Sequence, residues 1–189
     1  MNTGLILIAI VVGVILYLIS LYNRLVSLRQ SADAAWSDID VQLKRRYNLI
    51  PALVETVKGY KDYEADTLEK VVKARQLGLS ATTVKEKEEA NNMLTQALGH
   101  LFALAEAYPD LKANVNFLDL QQQLSQIEDA IQNARRYYNA VVRDYNTRIE
   151  SFPDLIIAQR YHFEPKDFFE LDEEEKEAVK KMPKIDFGK

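Results

Sequence analysis

Nineteen consecutive residues near the start of the chain, residues 4–22, carry no charge and read GLILIAIVVGVILYLISLY. A helix needs about 20 apolar residues to cross a hydrocarbon core of about 30 Å. Because a helix satisfies its own backbone hydrogen bonds, the two glycines and Ser20 are tolerated in lipid. Tyr17 and Tyr22 are residues of the type that is enriched at membrane interfaces. The run predicts a transmembrane anchor over residues 1–22, in contact with the lipid bilayer through residues 4–22.

A signal peptide and a buried core helix both agree less well with this run than an anchor does. A cleaved signal peptide begins with basic residues and ends in a small-x-small site. Here the run follows Met1, Asn2 and Thr3, and no Ala-x-Ala pattern comes after it. A core helix of a soluble protein normally has a polar face, which this run lacks. The pattern therefore favours an anchor that stays on the protein.

Basic residues next to the run predict its orientation. Arg24 and Arg29 follow it closely, residues 44–46 (Lys-Arg-Arg) lie further along, and the N-terminal side carries only the α-amino group. Since Lys and Arg concentrate on the cytoplasmic side of membranes, we expect the N-terminus outside and the remainder of the chain in the cytoplasm. Ala9 and Gly13 form a small-xxx-small pair of the kind through which two anchors associate. A homo-oligomer is therefore a further expectation.

Composition narrows the classes of function. The 189 residues include no Cys, which excludes disulfides, thiolate metal sites and Cys nucleophiles. Lys and Arg number 24 against 28 Asp and Glu, so the net charge is -4. A nucleic-acid-binding domain normally shows a basic stripe and a high pI. The sequence therefore predicts no nucleic-acid partner.

Beyond the anchor, apolar residues recur with the three-four spacing of amphipathic helices, and no strand-like alternation competes with them. The first stripe consists of Leu25, Leu28, Ala32, Trp36, Ile39, Leu43 and Tyr47. A looser one consists of Leu53, Val57, Tyr60, Leu68 and Val71. The next consists of Met93, Ala97, Leu101, Leu104 and Tyr108. The last and clearest stripe consists of Phe117, Leu120, Leu124, Ile127, Ile131, Ala134, Tyr138, Val141 and Tyr145.

Breaks between the stripes set the predicted helix ends. Pro51 interrupts the first pair, because proline lacks the backbone donor and clashes with the preceding turn. We expect a hairpin there, although a kink in one long helix is the alternative. Residues 78–83 form the second break, with Thr82 or Thr83 as N-cap and Glu86 within reach of a capping box. Residues 109–116 form the third, with Asn114 or Asn116 as N-cap.

Short connections make neighbouring helices antiparallel. The predicted fold is therefore all-α, with an N-terminal transmembrane helix that continues into an antiparallel four-helix bundle over residues 23–152. Residues 153–189 differ in composition, being aromatic, then acidic, then basic. We expect this tail to pack on the bundle through its rings, while a partner-binding patch is the alternative. The rings are those of Phe152, Tyr161, Phe163, Phe168 and Phe169.

No catalytic constellation is present in the sequence. A di-iron bundle site requires Glu-x-x-His on two helices, but Ala97 precedes His100 by three positions and Gln159 precedes His162. The His-Glu-x-x-His, P-loop and dinucleotide patterns are missing as well. We therefore predict no catalytic residue, no cofactor-binding residue and no metal ligand, and we expect the chain not to be an enzyme.

Several charged residues have simple structural roles. Asp40 and Lys44 have the spacing of an ion pair on one helix, close to Asp38 and Arg45. Glu64 falls in a stripe, where pairing with a basic residue of another helix is expected. The acidic residues Glu173, Glu174 and Glu175 are typical of a solvated surface.

Two segments resemble the LemA family. The first runs from YNRLVSLRQSADAAWSDIDVQLKRR through LIPALVETVKGYKDYEADTLEKVVKARQ, and the second is LQQQLSQIEDAIQNARRYYNAVVRDYNTRIESFPDLIIAQRYHFEPKDFFE. The resemblance implies a bacterial protein with one N-terminal transmembrane helix, a cytoplasmic four-helix bundle and no established activity. Asn48, Ala52 and Tyr63 depart from the residues expected of the family at those positions. No polar or metal-binding role is therefore carried over to them.

The resemblance also suggests classes of partner, because genes of the family often lie beside those of membrane proteases or TPM-domain proteins. Together with the anchor and the missing chemistry, this predicts a scaffold or adaptor of the bacterial cell (inner) membrane that binds a protein partner. The alternative is a self-associating structural protein that organises the envelope. An enzyme of unrecognised type is the third hypothesis.

Overall fold

The computed structural model describes residues 3–59 and 65–169, and every regular element in these two ranges is helical. The all-α prediction is thus confirmed for the part of the chain that the structure describes. The six helices are α1 (Thr3–Lys58), α2 (Ala65–Ser80), α3 (Val84–Ala105), α4 (Pro109–Lys112), α5 (Val115–Glu150) and α6 (Asp154–Arg160). A single antiparallel four-helix bundle over residues 23–152 stays a prediction.

Helix α1 passes through Pro51, so the hairpin expected at that residue is wrong. Proline costs a helix one backbone hydrogen bond and a steric clash, roughly 3 kcal/mol. On either side of Pro51, however, Tyr47, Ile50, Leu53 and Val54 are all buried. Each buried apolar side chain contributes about 1.5–3 kcal/mol, so packing offsets the cost of the proline.

The two other predicted breaks are present, but with different bounds. Residues 81–83 separate α2 from α3, and residues 106–114, which include the short helix α4, separate α3 from α5. Thr83 is the N-cap of α3: the Glu86 amide donates to the Thr83 hydroxyl at 3.2 Å, and the Thr83 amide donates to the Glu86 carboxylate at 3.1 Å. Asn114 caps α5, since the Phe117 amide donates to its side-chain oxygen at 3.0 Å. In both places a side chain satisfies a backbone donor at the helix start.

The chain forms two compact units. Among the described residues, unit 1 comprises 3–48 and 121–168, and unit 2 comprises 49–59, 65–120 and 169. In unit 1 a core cluster joins the end of the apolar run to the last turns of α5 and to α6 and the residue Phe163 beyond it. Its buried members are Leu21, Leu25, Tyr145, Ile149, Ile157, Ala158 and Phe163.

In unit 2, helices α2 and α3 pack together. Their buried apolar residues include Leu68, Val71, Leu94 and Leu101. The stripe predicted for α3 is wrong at its start, because Met93 is 45% exposed while the next residue, Leu94, is fully buried.

The predicted stripe of α5 also drifts, since Val142 is buried and Val141 only half-buried. A strict 3.5-residue repeat turns about 20° per heptad relative to a straight helix. The buried face of a long straight helix therefore moves by one position along such a stripe.

The apolar run is a regular part of α1 and is almost entirely exposed. Of the described helices, α1 alone contains a stretch long and apolar enough to cross a membrane. Residues 5–19 are all exposed. This is the surface that the sequence predicts to face lipid.

Candidate functional site

The described residues contain no group of three or more His, Asp or Glu that could hold a metal ion. His100 is exposed on α3 of unit 2, and His162 is exposed just after α6 in unit 1. Glu64, Tyr63 and residues 173–175 lie outside the described residues. The prediction that catalytic, cofactor and metal residues are absent stays a prediction for the whole chain.

Each member of the basic run of α1 has a partner in unit 1. The predicted pair of Asp40 and Lys44 is confirmed, with a distance of 2.7 Å between carboxylate and ammonium. Arg45 donates to the Gln42 side chain at 3.0 Å. Arg46 is buried and lies 2.9 Å from the Glu128 carboxylate on α5. Of the three charges, only that of Arg46 is buried, while Lys44 and Arg45 are exposed and contact residues of their own helix.

Arg46 and Glu128 form a pair between two helices of unit 1. The Arg46 side chain is 4% exposed and that of Glu128 is 26% exposed. Burial lowers the pKa of the Arg46 guanidinium, an effect that the nearby Glu128 carboxylate opposes. Arg remains protonated in proteins because its ordinary pKa exceeds 12. The pair thus supplies register between α1 and α5, because the two charges meet in only one alignment of the helices.

Residues 163–168 form a segment without regular secondary structure that side chains of α5 clamp. Asn146 is the centre of the clamp: its amide nitrogen donates to the Lys166 carbonyl and its oxygen accepts from the Lys166 amide, both at 2.9 Å. The Tyr145 hydroxyl donates to the Glu164 carbonyl at 2.9 Å, and the Tyr138 hydroxyl donates to the Asp167 carbonyl at 2.8 Å. The segment therefore receives from side chains the hydrogen bonds that a neighbouring strand would otherwise supply.

The same segment also contacts α1 through charge. The Lys166 ammonium lies 2.6 Å from the Asp33 carboxylate. Near the other end of the clamp, burial raises the pKa of the Tyr138 phenol to about 12, with smaller contributions from Asp167 and Asp33. Tyr138 is therefore a neutral hydrogen-bond donor at physiological pH. The clamp thus holds the C-terminal segment to both α1 and α5.

Aromatic side chains join α1 to the end of α6. The Tyr22 ring lies 4.9 Å from the Tyr161 ring and 5.8 Å from the Phe163 ring, centre to centre, both edge-to-face. The Arg29 guanidinium lies 5.0 Å from the centre of the Phe163 ring. These contacts fix the end of α6 against the helix that carries the apolar run.

The five rings expected to pack divide into two groups. Phe163 and Phe169 are buried, whereas Phe152 is 79% exposed, Tyr161 is 56% exposed and Phe168 is 38% exposed. Two of the five rings are thus covered and three are left exposed. The packing of residues 153–189 on a four-helix bundle stays a prediction, and residues 170–189 lie outside the described residues.

Helix α6 ends in a backbone motif that sets the position of Phe163. The Phe163 amide donates to the Ala158 carbonyl at 2.9 Å, and His162 has a φ of 54°. This is the Schellman arrangement, in which glycine normally occupies the left-handed position. Phe163 joins Ile157 and Ala158 in the core cluster, which supplies the apolar contact that usually accompanies the motif.

A groove of about 620 Å³ lies between α1 and α6 within unit 1. One wall is formed by α1 residues of the apolar run, namely Ile15, Leu18, Ile19 and Tyr22. The other wall is formed by α6 and the residue after it, namely Ile156, Ile157, Arg160 and Tyr161. Its volume lies in the range of roughly 300–1,000 Å³ typical of ligand clefts. Because one whole wall belongs to the anchor, we call it the anchor groove.

The family model described as LemA family matches residues 35–187 of the chain. The chain belongs to the LemA family. Among relatives, Protein LemA of Metamycoplasma hominis is 29% identical over 142 residues, which cover 73% of this chain and 64% of that protein. The LemA-family chain thus spans less than two thirds of that relative's length.

Two more distant relatives are named as magnetosome proteins. Magnetosome protein MamQ 2 of Paramagnetospirillum magneticum is 25% identical over 186 residues, covering 85% of this chain and 68% of that protein. Magnetosome protein MamQ of Magnetospirillum gryphiswaldense is 24% identical over 184 residues, covering 84% and 68%. The family match and the apolar stretch of α1 support membrane association of the LemA-family chain.

The sequence did not reveal the long-range polar contacts of unit 1. Asn146, Glu128 and Asp33 are single polar residues on helices, and their partners lie 20, 82 and 133 positions away. Contacts between residues this far apart in sequence leave no local pattern that predicts them. Ile156 and Arg160 offered a weak signal, because an apolar residue and a basic residue one turn apart next to aromatic rings are typical of a membrane interface.

Proposed function

We propose that this LemA-family chain is a single-pass scaffold or adaptor of the bacterial inner membrane, with its N-terminus outside and its helical part in the cytoplasm. The observation that carries the proposal is the continuity of α1, which extends without a break beyond the apolar run. From Asn23 to Asn48 this helix spans about 39 Å, at 1.5 Å per residue. A continuous helix of this kind suits a protein that presents a binding surface away from the bilayer.

Exposed apolar side chains in unit 2 support binding to another protein. At the start of α5, Val115 is 78% exposed and Leu118 is 47% exposed. Exposed apolar residues that lie close together are typical of protein interaction sites. The proposed partner is a membrane protein, with membrane proteases and TPM-domain proteins as the classes that family resemblance suggests. No catalytic step, cofactor or nucleic acid enters the proposal.

Cross-linking in cells tests the proposal directly. The tagged full-length chain is cross-linked, and the captured proteins are identified by mass spectrometry against a control that carries only the anchor. We expect one membrane partner to be captured, and the double variant Val115→Asp/Leu118→Asp to reduce its recovery at least fivefold. Asn116→Asp, which adds a charge at an exposed position between them, serves as the matched control. Equal recovery with the anchor-only control would refute the adaptor function.

The proposed topology has its own test. Protease added to inverted vesicles should digest the C-terminal part, while right-side-out vesicles should protect it. Arg24 and Arg29 flank the run on the side that we assign to the cytoplasm. Protection in inverted vesicles would reverse the orientation.

Self-association is a second candidate function, and one observation in the anchor favours it. A side chain added at Gly13 would meet no atom within 4 Å, so the small-residue face is open to a second helix. Close helix packing in membranes uses such faces. Gly13→Leu should then lower the yield of cross-linked homodimer, whereas Gly4→Leu, at an equally open position, should not. Unchanged dimer yield in Gly13→Leu would remove this candidate.

A further inference from the structure

Exposed apolar side chains surround α6 at the level of the anchor. Phe152 is 79% exposed, Ile156 is 57% exposed and Tyr161 is 56% exposed. These three residues, which we call the α6 patch, precede, form and follow one short helix. In water all three large apolar side chains would be exposed to solvent. Their exposure is explained if this surface lies in lipid.

The register of α6 along α1 gives the depth of this surface. The anchor groove contacts α1 from Ile15 to Tyr22, and the uncharged run ends at Tyr22. Seven residues of helix span about 10 Å. Helix α6 therefore lies beside the last two turns of the apolar run. Interfacial helices bury their apolar faces to a similar depth of roughly 5–10 Å.

The groove is continuous with the lipid-facing surface of the anchor. Ile15 and Ile19 are each 50% exposed although they line it. Any molecule that enters the groove at this depth comes from the bilayer. Ile156 forms the facing wall, so the interior offers an apolar channel between two helices.

One charged group lies among these apolar residues. Arg160 lines the groove at the last turn of α6, and its guanidinium lies 5.9 Å from the centre of the Tyr161 ring. An exposed Arg beside an aromatic ring is a frequent recognition group for a phosphate, because its planar fork binds two oxygens. At the membrane interface the available phosphates are those of lipid headgroups. Anionic lipids are favoured because basic residues attract them.

We propose that the anchor groove binds one anionic phospholipid, with an acyl chain along Ile15, Ile19 and Ile156 and its phosphate at Arg160. The proposal rests on the anchored topology above and goes beyond it. It makes α6 a second membrane contact that is specific for headgroup charge. The clamped segment, residues 163–168, follows α6 directly and fixes the chain after it to α5.

Fluorescence quenching by brominated lipid tests the proposal. The chain has one Trp, so Trp36→Phe gives a background in which a single new Trp is placed at Ile156. Full-length variants are reconstituted into phosphatidylcholine vesicles that contain about 20% phosphatidylglycerol, which gives an anionic surface. In each experiment the acyl chains of only one of the two lipids carry bromine. Val11→Trp, in the middle of the run, marks the lipid core. Val41→Trp, exposed on α1 and about 28 Å beyond Tyr22, marks water.

We expect Ile156→Trp to be quenched at least half as strongly as Val11→Trp, and Val41→Trp to be quenched hardly at all. Brominated phosphatidylglycerol should quench Ile156→Trp about fivefold more efficiently per molecule than brominated phosphatidylcholine. Adding Arg160→Gln should remove that preference, since one interfacial charge is worth roughly this factor. Arg143→Gln, at an exposed position of α5, should leave it unchanged.

The outcomes separate the two proposals. If Val11→Trp is quenched and Ile156→Trp is not, the anchor stands and the lipid site is refuted, as it would be by a second copy covering the groove. If neither is quenched, the anchored topology itself fails. If Ile156→Trp is quenched equally by both lipids, the headgroup assignment to Arg160 is overturned.

Discussion

Unit 1 and unit 2 are stabilised in different ways. In unit 1, side chains far apart in sequence meet: Asp33 binds Lys166, and Arg46 binds Glu128. In unit 2, helix caps formed by neighbours in sequence accompany packing between consecutive helices α2 and α3. Unit 1 is therefore built from the two ends of the described chain, and unit 2 mainly from its continuous middle.

This difference indicates in which unit the alignment of the helices is more strictly fixed. Long-range polar contacts fix register, because they are satisfied in only one alignment of the helices. Local caps fix where a helix begins but not what it packs against. The unit that contains the anchor is thus the one whose alignment is most strictly specified.

Core truncation should separate the two units. Leu25 of unit 1 and Leu94 of unit 2 are both fully buried, so replacing either with Ala should cost about 2–5 kcal/mol. Hydrogen exchange of the protein in nanodiscs measures the effect. Leu25→Ala should accelerate exchange in residues 121–168, and Leu94→Ala should accelerate it in residues 65–105. If either substitution accelerated exchange in both units, the two units would not unfold independently.

Removing one member of the buried ion pair should be nearly as costly. Arg46→Met takes away the guanidinium beside the Glu128 carboxylate, and a broken buried pair costs about 3–5 kcal/mol, less here because Glu128 is partly exposed. Thermal unfolding in detergent should show a lower Tm. The double variant Arg46→Met/Glu128→Leu should recover most of the loss. If the double variant is as unstable as the single one, the pair is not the cause.

The Asn146 clamp should have a local effect. Asn146→Ala removes two hydrogen bonds to the Lys166 backbone, a loss of roughly 1–3 kcal/mol. Trypsin should then cleave after Lys166 faster, while the Tm of the remainder of the chain changes little. Asn133→Ala, whose side chain accepts from the nearby Arg136 on the surface, is the matched control. Equal cleavage rates in both variants would show that the clamp does not hold the segment.

The capping box of unit 2 predicts a pH dependence. Hydrogen bonds from the Thr82 and Thr83 amides lower the pKa of the Glu86 carboxyl below its ordinary 4.5. Because the folded-state pKa is the lower one, the stabilisation is present above pH 4.5 and is lost as the pH falls through the folded-state pKa. Thr83→Ala should cost about 1 kcal/mol at neutral pH.

Helical content followed from about pH 6 to pH 3, across the range in which carboxylates titrate, measures this contribution. Glu86→Gln should flatten the acid dependence of α3 stability. Glu89→Gln, at an exposed position three residues further along the same helix, should preserve it. An unchanged profile in Glu86→Gln would assign the acid sensitivity to other carboxylates.

The smallest effect is expected at the end of α6. His162 has a left-handed backbone conformation, which glycine adopts without a steric cost. His162→Gly should therefore change stability by less than about 1 kcal/mol, in the stabilising direction, because the relief of strain exceeds the added entropy of the unfolded chain. A Tm decrease of several degrees would mean that the imidazole makes a contact of its own.

Sequence reasoning succeeded where the determining interactions are local. The capping box at Thr83, the Asn114 cap and the pair of Asp40 with Lys44 each lie within four residues, and all three were predicted correctly. It failed at Pro51, where the residues packed around the helix outweigh the local penalty. It also chose Met93 as the first buried residue of α3, whereas Leu94 is the buried one. Over a short stripe, repeats of 3.5 and 3.6 residues are too similar for the spacing alone to decide between two neighbouring apolar residues.

The clamp and the anchor groove depend on contacts that no local sequence pattern predicts. Nothing in the sequence around Asn146 distinguishes it from Asn139 or Asn133, which are equally polar residues on the same helix. Its role arises only when residues 163–168 return along α5. The anchor groove likewise exists because residues 15–22 and 156–161, which are distant in the chain, lie side by side.

Unit 1 also imposes an order on biosynthesis. The first segment of unit 1 ends at residue 48. Its second segment is synthesised later, from residue 121 to residue 168. At synthesis rates of about 5–20 residues per second, the roughly 120 residues between the two ends take about 6–24 s. During that time Leu21 and Leu25 have no partner from α5 or α6. With the anchored topology proposed above, the apolar end of the anchor contacts lipid before α5 and α6 are available to pack on it. Slower translation would then lengthen the time for which only the membrane covers it.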